Sequence, residues 1–112
     1  MPVDLAANPQ LRTILAELRR RFEELYGDRL VKMVLYGSQA RGDARRSSDI
    51  DVMVVLQGPV SPSQEIHRTG GIVSSVCLEF EVDVNCVFVD DEGFRKGAEP
   101  LIHNVHSEGV EV

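Results

Sequence analysis

Apolar residues in the first quarter of the chain recur at three- and four-residue spacing, at Leu11, Ile14, Leu15, Leu18, Phe22 and Leu25. That period lines one face of a helix. Asn8 before Pro9 supplies a side-chain cap and a first helical residue with no N–H to lose. Gly27 stands where a C-terminal cap belongs. The pattern then shortens. Leu30 to Tyr36 is a run of apolar and β-branched residues closed by Gly37, which predicts a strand, and Ser38 to about Ala44 predicts a short helix. Asp49 to Leu56 predicts a second strand, apolar at every position from Val52 onward, as in a strand covered on both faces. A loop follows through Gly58, Pro59 and Pro62.

Ser61 and Gln64 have the spacing of a capping box. They predict a helix to about Glu79 that carries Ile66, Val73, Val76 and Phe80 inward. Gly70 and Gly71 weaken it, each costing about 1 kcal/mol against alanine. Glu81 to Val89 predicts a third strand. A last helical region begins near Asp91, contains Phe94, Leu101, Ile102 and Val105, is split or kinked at Pro100, and ends at Gly109. The order is helix, strand, short helix, strand, helix, strand, helix. It predicts one α/β domain over residues 1–112, with a small sheet and helices packed on it.

Composition narrows the class. The 43% of hydrophobic residues can fill one modest core. The net charge of −6 argues against general nucleic-acid binding, which needs a concentrated basic surface. The run Arg19, Arg20, Arg21 reads as a solvated helix face. Cys77 and Cys86 lie in apolar contexts and read as small hydrophobes of a reducing compartment. With no signal-peptide pattern and no apolar run approaching the ~18 residues of a membrane span, the expectation is a soluble cytoplasmic protein.

The candidate chemistry sits between the first two strands. Gly37 closes a strand and Ser38 opens a helix, so backbone N–H groups and a hydroxyl can converge on an anion. Asp49 and Asp51, two apart at the head of a buried strand, project from the same face. Two like charges that close are costly unless a cation lies between them or one is protonated. Asp83, in the predicted third strand, is the candidate third carboxylate, with Glu81 as its runner-up; alternation would put Glu81, Asp83 and Asn85 on one face. Three carboxylates suit Mg²⁺, which keeps waters and takes its remaining ligands from substrate phosphates, and two such ions can clamp an in-line phosphoryl displacement. Arg41, one helical turn past Ser38, could neutralise phosphate as a two-pronged donor or brace Asp43 or Asp49.

Gly37-Ser38, ten intervening residues and Asp49-Ile50-Asp51, together with Ala40-Arg41-Gly42 and Ser48, resemble the signature of the minimal nucleotidyltransferases of the DNA polymerase β superfamily. The resemblance runs from Leu30 to the chain's end and includes the segment from Pro100 to Val110. It implies a polymerase β-like core, a small mixed sheet of three to four strands flanked by helices. It implies that Gly37 and Ser38, with Arg41 as a further candidate, hold the phosphates of a nucleoside triphosphate. Asp49, Asp51 and Asp83 would hold two Mg²⁺ ions, and Asp83 would help activate the attacking hydroxyl. The nucleotide would be ATP. Many such domains resemble antitoxins paired with a helical HEPN-type toxin ribonuclease, and some transfer AMP onto a tyrosine of that toxin. Two alternatives remain beside this one. The chain could mask a basic toxin without catalysis, its acidic charge supplying the complementarity, or it could modify a small hydroxyl compound such as an aminoglycoside, although 112 residues leave little room to hold one.

Overall fold

The structure is a computed structural model that describes residues 8–42 and 49–112. Helix α1 spans Pro9–Tyr26, and the Asn8 side chain accepts from the Leu11 N–H as its cap. Strand β1 is Leu30–Tyr36, helix α2 Gly37–Arg41 and strand β2 Ile50–Leu56. Helix α3 is Pro62–Phe80, strand β3 Val84–Asp90, helix α4 Asp91–Lys96, helix α5 Pro100–Glu108 and strand β4 Val110–Glu111. The expected end of the short helix at Ala44, and Ser48 of the motif, lie outside the described residues. Pro100 does split the last helical region, since it opens α5 after α4 has ended.

The sheet order is β3-β2-β1-β4. β2 runs antiparallel to β1 and parallel to β3, and β4 pairs antiparallel with β1, so the sheet is mixed. Alternation along β2 sends Ile50, Val52, Val54 and Leu56 into one core with α1 and α3, and Met53 and Val55 into a second with Phe94, Ile102 and Val105 of α4 and α5. Helices therefore cover both faces, which is why β2 is apolar throughout. The register of β1 slips between Leu30 and Lys32. The extra residue resets the alternation, so that Met33 and Leu35 face α1 while Val34 and Tyr36 face the other way.

Three expectations change. Ser61 makes no side-chain cap bond, and Ile66 is exposed; α3 buries Val76 and packs Val73 and Phe80 against the core as expected, with Glu65 and Thr69 buried in place of Ile66. A purely apolar reading of the helix face missed Glu65 because its charge is met inside the fold. Tyr26 donates to its Oε1 at 2.7 Å, and Arg29 reaches its Oε2 at 3.3 Å while bonding the carbonyls of Gln57 and Pro59. Burial alone would push Glu65 up, but Tyr26, Arg29 and Arg68 outweigh it and hold the carboxyl below its usual range. Its contribution to stability is therefore present above the ordinary carboxylate pKa and lost in acid. Glu65→Ala should destabilise the fold by about 2–3 kcal/mol at neutral pH, because it strands the buried Tyr26 hydroxyl and takes the carboxylate partner from Arg29; urea denaturation measures this.

The third change concerns the start of β3. Glu81 is not in a strand: it caps α3 in the left-handed region at φ 55°, and its N–H bonds the Cys77 carbonyl. The strand begins only at Val84. A side chain at φ > 0 costs roughly 1 kcal/mol or more against glycine, so the expected alternation of Glu81, Asp83 and Asn85 does not extend back to Glu81. Glu81→Gly should leave activity intact and raise stability by about 0.5 kcal/mol, measurable as a shift in the denaturation midpoint.

Candidate active site

Three strands bring one row of side chains together. Tyr36 of β1 pairs in register with Asp51 of β2, and Asp51 with Asn85 of β3. All three project to the face opposite Ile50, Val52, Val84 and Cys86, which belong to the α1–α3 core. α4 and α5 cover the rest of that face, leaving this row at its edge. Asp49 lies just ahead of β2 and is exposed, and the Asn85 side-chain amide donates to its Oδ2 at 2.9 Å.

Gly37 explains how the turn meets the carboxylates. It adopts φ +74°, and a Cβ there would stand 2.6 Å from Asp51 Oδ2. Glycine at this position lets the start of α2 press against the Asp51 carboxylate. α2 is five residues long and closes at Gly42, a left-handed cap whose N–H bonds the Ser38 carbonyl. Ala40 buries into the core and anchors it. Arg41 pairs with Glu108 of α5 at 3.2 Å and lies close enough to Asp51 to favour its charged form.

The electrostatics of the described residues set burial and like charge against the Asp51 carboxylate. Burial pushes Asp51 above the ordinary carboxylate range and the charge of Asp49 adds to this, while Asn85 and Arg41 work against it. Burial, then Asp51, raises the Tyr36 hydroxyl as well. Cys86, on the opposite face, is pushed up to about 12 by burial and by Cys77, which fits an inert thiol. Arg19, Arg20 and Arg21 are engaged with Glu17, Glu23, Glu24 and Glu79 and belong to the helix surface, as expected.

Asp83 falls outside the row. It is exposed and precedes β3, but its carbonyl accepts from the Ile50 N–H at 2.8 Å, which ties its backbone beside the Asp pair. Among the described residues no three His, Cys, Asp or Glu side chains converge as a ready-made metal cluster. The donor set nevertheless fits a hard divalent cation, because its ligand atoms are oxygens and two of them come from carboxylates two residues apart at the head of β2. Sequence reasoning placed Asn85 on this face but gave it no role; its contact with Asp49 depends on a register that alternation cannot supply.

A glycine turn pressed on paired carboxylates at the head of a central strand, within a mixed sheet covered on both faces, defines a nucleotidyltransferase-type domain. The family comparison agrees: residues 15–99 match the nucleotidyltransferase domain. The chain belongs to that family. Two relatives from Methanocaldococcus jannaschii are each named "putative protein adenylyltransferase". One is 30% identical over 97 residues, 82% of this chain and 64% of its own length. The other is 31% identical over 96 residues, 85% of this chain and 90% of its own length. The chain thus spans under two thirds of the first and nearly all of the second. Among solved structures, a toxin–antitoxin with AMP-PNP superimposes with a TM-score of 0.60 at 19% identity, covering 84% of this chain and 68% of that one. At that identity the likeness is one of fold.

Proposed function

We propose that this protein transfers a nucleoside monophosphate, AMP from ATP, to a hydroxyl of a partner protein, and that the partner is a HEPN-type toxin which the modification silences. The observation that carries the transfer chemistry is the close approach of Gly37 to Asp51, which sets a glycine turn against a carboxylate pair. The names of the two relatives support a protein acceptor. The toxin–antitoxin neighbour holding AMP-PNP supports both ATP and the toxin partner.

In this reading Gly37 and Ser38 receive the β- and γ-phosphates, with Arg41 turning from Glu108 toward them. Asp49 and Asp51 would hold Mg²⁺, two ions in the presence of the triphosphate. Bound there, Mg²⁺ supplies charge neutralisation at the α-phosphate and on the departing pyrophosphate. Asp83, tied by its backbone beside Ile50, turns its carboxylate toward the acceptor and takes the hydroxyl proton. The acceptor oxygen then bonds to the α-phosphorus as the bond to the bridging oxygen breaks, and pyrophosphate leaves. The site lies at a surface edge of the sheet, so a docked protein can reach it. The thiols of Cys77 and Cys86 suit the reducing cytoplasm in which such a pair would act.

Incubation with Mg²⁺, labelled ATP and the protein encoded beside it should label that protein, and Asp49→Ala and Asp51→Ala should abolish the label. Normal labelling by those variants would sink the catalytic reading. Full neutralisation of the toxin in cells by the same variants would instead favour a masking antitoxin.

A further inference from the structure

We infer that Asn85 is a positioning residue for the cation-binding carboxylates: its amide, carried on the neighbouring parallel strand, fixes Asp49 in the orientation from which it and Asp51 can share one ion. The inference rests on the reading that Asp49 and Asp51 bind a divalent cation, and adds to it the residue that shapes the pair.

Asp49 precedes β2, so the pleat of the strand does not set its side chain, and it is exposed to solvent. Left to itself it would swing away from Asp51, since like charges repel. Asn85 prevents this. It lies directly across from Asp51 in the register and donates from Nδ2 to Asp49 Oδ2 at 2.9 Å. One side chain therefore neighbours the first carboxylate and grips the second. An ionised carboxylate only accepts, so the amide must present its NH₂ to Asp49 and turn its own oxygen away.

The bond occupies one oxygen of Asp49 and leaves the other for a metal. The donor's neutrality matters equally. A lysine or arginine here would grip Asp49 just as firmly, but would put its own charge where the cation belongs. An amide orders the ligand without competing for its charge, as outer partners of metal-binding residues generally do. Asn85 is itself exposed and outside the core, so its replacement need not disturb the fold.

The test uses the intact chain and Mn²⁺ alone as the probe, with free Mn²⁺ read by electron paramagnetic resonance and no nucleotide present. Asn85→Ala should melt within a few degrees of wild type in the absence of metal, yet bind Mn²⁺ about tenfold or more weakly. Asn85→Gln keeps an amide donor and should recover part of the loss. In the transfer reaction, Asn85→Ala should need more metal for half-maximal rate while kcat at saturating metal stays near wild type, a split that a merely structural role would not produce. Binding of Mn²⁺ by Asn85→Ala within about threefold of wild type, while Asp49→Ala loses it, would overturn the role of Asn85 and leave the cation site standing. Undiminished binding by both Asp49→Ala and Asp51→Ala would overturn the cation site, and this inference with it.

Discussion

Gly37→Ala should reduce nucleotidyl transfer at least 100-fold while costing the fold only about 1–2 kcal/mol. The two effects separate because of what the new methyl group meets. At φ +74° any L side chain is strained, by roughly 1–2 kcal/mol. The added Cβ would stand 2.6 Å from Asp51 Oδ2, with the Asp51 Cγ at 3.4 Å. It thus collides with the tip of a side chain rather than with backbone, and the carboxylate can yield by rotating. That relief spares the fold but moves the group on which the chemistry depends. A displacement near 1 Å in a reacting constellation can cost 100-fold in rate. Urea denaturation and initial rates of labelled-ATP transfer, measured on the same preparation, give both numbers. Transfer above a tenth of the wild-type rate would show that Asp51 is not held by this contact.

Much of the architecture was legible because its elements have strong local signals. α1 shows an uninterrupted helical period, an asparagine cap that the structure confirms and a glycine stop at Gly27. β1 and β2 are short apolar runs ending at polar residues, and their bounds were read to within a residue. Where the reading failed, tertiary contacts overrode the local signal. Glu65 is buried because Tyr26 and Arg29, more than thirty residues away, meet its charge. Glu81 caps a helix in a conformation its sequence does not advertise, which delays β3 to Val84. β4, only two residues long, carries no periodicity to detect.

The site divides in the same way. Gly37, Ser38, Asp49 and Asp51 are close in sequence, and a strand's alternation suffices to aim Asp51, whereas Asp49 lies just ahead of β2. Asp83 and Asn85 come from a distant strand, so their roles depend on register. The parallel pairing of β2 with β3 sets Asn85, not Asp83, opposite Asp51. Only the structure could show that the Asn85 amide lies in the row and that Asp83 lies at its margin.

Asp51→Asn should make the metal-free protein more stable and the enzyme inactive. Burial, and then the charge of Asp49, raise the carboxyl of Asp51 in the folded state, against partial relief from Asn85 and Arg41. A folded-state pKa above the unfolded value means that the ionised group costs stability above that pKa, and that the cost disappears as pH falls through it. Asparagine removes the charge at every pH. In EDTA at pH 7 the variant should therefore melt above wild type, by a gain of up to about 1 kcal/mol after allowance for solvent screening of a half-buried group, or a few degrees for a domain of this size. The advantage should shrink at acid pH, where wild type takes up the proton. Saturating Mg²⁺ and ATP should reverse the order. A ligand at 100 times its Kd stabilises wild type by about 2.7 kcal/mol, and Asp51→Asn should gain little of this while transfer falls by about 1,000-fold or more. Melting curves with and without Mg²⁺–ATP at the two pH values test each part. A destabilised metal-free variant would mean that Asp51 is held by the fold rather than tolerated by it. Crossing curves would mark a charge that the fold bears for the sake of the ion it binds.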